Sequence, residues 1–79
     1  MKNLHIEYFA VLREQAGIDR ETLSTAAETP QQLFAELSAR YKFSPLQSVK
    51  VAINDEFSAM NTALQEGDSV VFIPPVAGG

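Results

Sequence analysis

The run Val70-Val71-Phe72-Ile73, stopped at once by Pro74-Pro75, constrains the fold of this chain more than any other stretch. An unbroken apolar segment just after the turn-forming Gly67-Asp68 reads as a central strand covered on both faces. Proline has no amide donor for a sheet ladder, so pairing must end at Pro74. The fixed φ of the two prolines then favours an extended exit from the sheet. Near the other end of the sequence, Leu4-His5-Ile6-Glu7-Tyr8 alternates apolar and polar residues, the period of a half-buried strand. Pairing these two strands, parallel and central, brings the most apolar strands together.

The intervening sequence fills in the rest. Residues 10–16 predict a short helix ended by Gly17 in a left-handed cap, and residues 21–25 a polar edge strand. In Thr29-Pro30-Gln31-Gln32, Thr29 fits an N-cap, Pro30 the first helical position, and Gln32 the far side of a capping box. Leu33, Phe34, Leu37 and Tyr41 follow at helical spacing. That helix must fail by Ser44, because Pro45 pushes the residue before it out of the α region. Residues 49–53 predict a strand, Asn54-Asp55-Glu56 a turn, residues 57–60 a short strand, and residues 61–66 a connection. The order describes an α+β domain, a mixed sheet crossed by one principal helix. That is the β-grasp arrangement, with residues 1–79 a single domain and an extended tail at 74–79.

Composition excludes several classes of function. The chain has no cysteine, which removes disulfides, thiolate metal sites and a cysteine nucleophile together. A single histidine without a Cys/His cluster argues against structural zinc, and no metal is expected. The six cations are scattered and the net charge is −4, so phosphate neutralisation and nucleic-acid binding are not expected. An acidic surface instead suits a basic protein partner. Residues 1–7 lack the apolar run of a signal peptide or membrane span, so a soluble cytoplasmic protein is expected.

No self-contained active site is legible. Asp55 with Glu56, and Glu66 with Asp68, are carboxylate pairs, but they fall in predicted turns where solvated acids are common. His5 has no partner that forms a triad, and Gly17 and Gly67 are too isolated to make a phosphate loop. Strand parity points elsewhere. With Leu4, Ile6 and Tyr8 under the helix, Phe9 falls on the opposite sheet face, as do Val71 and Ile73. Phe57, just past a turn, can join them. One helix cannot cover both faces, so Phe9, Phe57, Val71 and Ile73 are expected to form an apolar docking patch. The competing reading sends Phe57 or Ile73 into the core through a bulge or register shift.

The tail Pro74-Pro75-Val76-Ala77-Gly78-Gly79 completes the picture. Gly78 and Gly79 carry no Cβ, so their backbone fits a channel too narrow for other residues. What it delivers there is the α-carboxylate of Gly79. The plain alternative is a frayed terminus.

The segment Gly67-Asp68-Ser69-Val70, leading into Phe72-Ile73-Pro74-Pro75-Val76-Ala77-Gly78-Gly79, closely resembles the end of the molybdopterin synthase small-subunit family. Members of that family, also called MoaD, are ubiquitin-like β-grasp sulfur carriers. Tyr8-Phe9-Ala10-Val11-Leu12-Arg13-Glu14 is similar to its strand-to-helix opening, and Val51-Ala52-Ile53-Asn54 to its middle strand and turn. The likeness runs the length of the chain, with the Pro-Pro-Val-Ala-Gly-Gly ending its specific part.

The resemblance implies a mechanism. An E1-like adenylyltransferase uses ATP to activate Gly79, and sulfur transfer turns its carboxylate into a thiocarboxylate. The chain itself is expected to bind no cofactor. The tail then enters the large catalytic subunit, with Val76, Ala77 and Gly78 threading the channel. There it gives its sulfur to cyclic pyranopterin monophosphate in molybdenum cofactor biosynthesis. Phe9, Phe57 and Ile73 fall where the family has its apolar docking surface, and together with Val71, Pro74 and Pro75 they are the expected partner-binding residues. The implied assembly is a heterotetramer of two small and two large subunits. Two alternatives share the fold and diglycine end: a sulfur carrier for thiazole synthesis, and a ubiquitin-like modifier joined to lysines of target proteins.

Overall fold

The computed structural model describes residues 1–43 and 49–75. The expected effect of Pro45 on Ser44, and the tail residues Val76, Ala77, Gly78 and Gly79, lie outside the described residues. The elements run β1 (Lys2–Tyr8), α1 (Ala10–Ala16), β2 (Arg20–Thr25), α2 (Pro30–Tyr41), β3 (Lys50–Ile53), β4 (Glu56–Ser58) and β5 (Ser69–Ile73). The strands form a five-stranded sheet in the order β2-β1-β5-β3-β4. β1 and β5 pair in parallel at its centre, from His5 opposite Ser69 to Tyr8 opposite Phe72. All other pairings are antiparallel, so the sheet is mixed as the sequence predicts.

Helix α1 ends where Gly17 takes a φ of 79° and its amide donates to the Arg13 carbonyl at 2.9 Å. At the start of α2, Thr29 Oγ1 accepts from the Gln32 amide at 3.3 Å, with Pro30 in the first turn. The reciprocal half of the capping box differs from expectation. Gln32 Oε1 accepts from the amide of Glu28, one residue before the cap, at 2.9 Å. The helix stops at Tyr41, because Lys42 adopts a left-handed conformation with φ of 57° and donates its amide to the Ser38 carbonyl.

One core lies between the sheet and the helices. Leu33 and Leu37 of α2 and Leu12 of α1 are fully buried with Leu4, Ile6, Tyr8, Val51, Val70 and Phe72 of the strands. Phe34 and Tyr41 close its margin, and Phe34 tilts against Phe72 with ring centroids 5.0 Å apart. The apolar run of β5 is covered on one face only. Val70 and Phe72 are buried whereas Val71 and Ile73 are half-buried, so the expectation of cover on both faces does not hold. The physical reason is economy of elements: both helices contribute their buried residues to the same core, leaving the other face open.

The β3–β4 turn places both Asn54 and Asp55 at positive φ, 52° and 70°. These are the values of a tight hairpin turn, and Asn and Asp adopt them at least cost. Strand β4 runs from Glu56, a residue expected in the turn, to Ser58, short of residue 60. Met60 packs against the core instead.

Glu66 and Asp68 are held by hydrogen bonds around their turn, whereas Asp55 lies in the β3–β4 turn and Glu56 opens β4. Asp68 accepts from Asn54 Nδ2 at 3.0 Å and from the Gln65 amide at 2.8 Å, while Glu66 accepts from the Asn3 amide at 3.0 Å. Among the described residues no group of three His, Asp or Glu stands close enough to hold a metal ion. None of the described helices is long and apolar enough to cross a membrane.

Candidate functional site

The open face of the sheet carries the candidate site. Alternation along each strand puts Leu4, Ile6 and Tyr8 of β1 in the core and turns Glu7 outward. Direct pairing continues that outward row from Glu7 to Val71, from Val71 to Ala52, and from Ala52 to Phe57. The neighbouring row joins Ile73 to Lys50. Polar at β1, the open face therefore becomes apolar toward β4.

At the β4 end the surface sinks into a groove of about 630 Å³, lined by Lys50, Phe57, Ser58, Ala59, Ile73, Pro74 and Pro75. The groove brings together four residues the sequence singled out: Phe57, Ile73, Pro74 and Pro75. Phe57 is 76% exposed, which rules out its insertion into the core through a register shift. Ile73 is half-buried, the last residue of β5 before the chain leaves the sheet. The two prolines divide their roles: Pro74 is itself buried in the wall, and Pro75 is exposed at the rim. Pro74 thus shapes the groove more than it offers contact area.

Two members of the expected patch fall outside the groove. Val71 lies in the same row as Phe57 but two strands away, between Glu7 and Ala52. Phe9, 42% exposed, follows Tyr8, the last β1 residue paired with β5, and serves as the N-cap of α1. Its carbonyl accepts from the amides of Leu12 and Arg13. The next residue, Ala10, is bent to a φ of 51°, a left-handed conformation uncommon for residues other than glycine. That bend sends the chain straight from strand into helix.

Sequence reasoning missed Lys50, Ser58 and Ala59. The signal for Lys50 was present: it alternates with the buried Val51, so parity alone places it on the open face.

Behind the sheet, a polar knot anchors the same end of β1. The hydroxyls of Tyr8 and Tyr41 each donate to Glu21 Oε2 at 2.6 Å. Arg40 approaches the other carboxylate oxygen of Glu21 at 3.9 Å. Burial, reinforced by the bond to Glu21, pushes both tyrosine hydroxyls above their ordinary pKa. They stay protonated donors. His5, on the open face, meets the Thr22 hydroxyl through Nδ1, at 3.2 Å. Nothing in the described residues forms a nucleophile–base pair. What the described residues offer is an apolar groove with Pro75 exposed at its rim.

Comparison with known proteins agrees in family and in fold. The ThiS family model matches residues 6–79. The chain belongs to the ThiS family. It is 34% identical to a molybdopterin synthase sulfur carrier subunit from Chlamydomonas reinhardtii, across 96% of this chain and 98% of that one. Among solved structures it is similar to small archaeal modifier protein 1 from Methanosarcina acetivorans, with a TM-score of 0.78 and 25% identity. That likeness covers 100% of this chain and 98% of the other. A third likeness is to a chain in the complex of subunits 1 and 2 of molybdopterin-converting factor from Helicobacter pylori, with a TM-score of 0.65 and 24% identity. It covers 98% of this chain and 99% of that one. The fold of this ThiS-family chain is the ubiquitin-like β-grasp.

Proposed function

We propose that this chain is the sulfur-carrier small subunit of molybdopterin synthase. One observation carries the reading: an apolar groove, built from Phe57, Ile73 and the two prolines, lies where the sheet releases the tail. A partner seated on that groove receives the residues that follow Pro75.

The chemistry follows from the weakness of a carboxylate as an electrophile. An E1-like adenylyltransferase uses ATP to join AMP to the carboxyl of Gly79, releasing pyrophosphate. A sulfur nucleophile then displaces AMP and leaves a thiocarboxylate. Val76, Ala77 and Gly78 carry this group into the large catalytic subunit, where its sulfur passes to cyclic pyranopterin monophosphate and water restores the Gly79 carboxylate as the C–S bond breaks. Acid and base groups come from the large subunit, and this chain supplies a covalent co-substrate without a bound cofactor. Two copies of each subunit assemble in the cytoplasm. The activating enzyme and the large subunit use the same groove, so their binding is mutually exclusive. The likeness to a molybdopterin synthase sulfur carrier subunit and to a chain of a two-subunit molybdopterin-converting factor supports this reading.

A second reading has one observation in its favour, the likeness to an archaeal modifier protein. In that reading activated Gly79 forms amide bonds with lysines of other proteins. Reconstitution separates the two. Thiocarboxylated chain mixed with the large subunit and cyclic pyranopterin monophosphate is expected to yield molybdopterin, with the chain returned as carboxylate. Adducts on lysines, with no pterin product, support the modifier.

A further inference from the structure

The groove is mostly apolar, and its lining holds the Ser58 hydroxyl, which donates to the Glu56 carbonyl, and one cation. Lys50 lies opposite Ile73 in the β3–β5 ladder and lines the groove beside Phe57, Pro74 and Pro75. It is exposed, and among the described residues its ammonium has no ion pair or hydrogen bond. Lys2, by comparison, donates Nζ to the Ala27 carbonyl, and Arg40 approaches Glu21. The chain as a whole carries a net charge of −4, so a positive charge within its apolar face runs against the overall balance.

A partner that covers Phe57 and Ile73 also covers Lys50. Taking an ammonium out of water without a counter-charge is heavily unfavourable, and an apolar surface offers it nothing in return. We infer that Lys50 is a specificity-determining residue of this docking face, and that the partner subunit sets a carboxylate against its ammonium within a mostly apolar contact. The partner's local charge here is therefore acidic, opposite to what the net charge of this chain suggests. The lysine fixes register at the groove, so that the tail starts from a defined point; apolar contacts alone are tolerant of sliding. This inference rests on the proposed two-subunit assembly.

The test is calorimetric binding of the full chain to the purified large subunit, at low and high salt, for the unaltered protein, Lys50→Met and Lys50→Glu. Lys50 is exposed, and a thermal melt of each variant verifies that the fold is kept. The expected result is weakening by about tenfold for Lys50→Met and more for Lys50→Glu, because each leaves a buried carboxylate unpaired. The unaltered chain should lose affinity as salt rises, and Lys50→Met should not. Equal or tighter binding by Lys50→Met, with an unchanged salt response, overturns the inference and leaves the proposed function standing. Failure of the unaltered chain to bind at all removes both.

Discussion

Phe57 stands directly opposite Ala52 across the β3–β4 pair, a large ring beside a methyl group, and 76% of the ring residue is exposed. A strand pair that gained its stability from this contact would bury the ring. Phe57→Ala is therefore expected to change folding stability by no more than about 0.5 kcal/mol. The same substitution is expected to weaken binding to the large subunit at least tenfold, as loss of an aromatic anchor does. Thermal melts and binding isotherms read the two effects separately. A large loss of stability would return Phe57 to the core.

Tyr8, Tyr41 and Glu21 predict an alkaline limit to stability. Both tyrosines titrate higher in the folded chain than in the unfolded one, chiefly because burial disfavours the phenolate. The folded state therefore holds protons that the unfolded state has released. Stability is full below about pH 10, the unfolded tyrosine value, and falls as pH rises through the higher folded values. Denaturant midpoints measured from pH 8 upward should decline beyond that point. Tyr8→Phe should flatten the decline, at a cost of about 1 kcal/mol at neutral pH for the lost hydrogen bond.

Leu37 is fully buried on α2. Leu37→Ala is expected to cost about 2–5 kcal/mol through lost burial and the cavity it leaves. A core in a chain this small supplies a net of only about 3–5 kcal/mol. Circular dichroism of this variant should show a largely unfolded chain, or one that melts far below the unaltered protein. A melt close to that of the unaltered protein would mean the site collapses easily.

Much of this was legible in the sequence, because period and punctuation carry it. The alternation of Leu4 to Tyr8, the run ending at Pro74, and the Thr29–Gln32 cap each locate an element. Placing the two apolar strands side by side then fixes the centre of the sheet. What escaped depends on three-dimensional neighbours. An apolar run reads the same whether one face or both are covered, so the half-exposure of Val71 and Ile73 needed the position of the helices. Strand parity identified the open face but not where it sinks. The groove forms at β4 and the prolines, leaving Val71 and Phe9 outside it. Lys50 was passed over because a lysine in a strand is ordinarily a solvated residue, and its meaning comes from the apolar neighbours set beside it.

In the tail, Gly78→Val is expected to abolish sulfur transfer in the reconstituted synthase while retaining measurable subunit binding. A β-branched residue is too wide and too restricted in χ1 for a channel that accepts bare backbone. Binding through Phe57 and Ile73 is independent of that position. Unimpaired pterin production by this variant would contradict a threaded tail.

The central claim is that Gly79 carries sulfur, and intact mass tests it most directly. The chain is incubated with ATP, an E1-like adenylyltransferase and a sulfur donor, then weighed. The predicted result is a gain equal to replacing one oxygen by sulfur, dependent on ATP and absent when Gly79 is deleted. An unchanged mass under conditions that load a known sulfur carrier would contradict it.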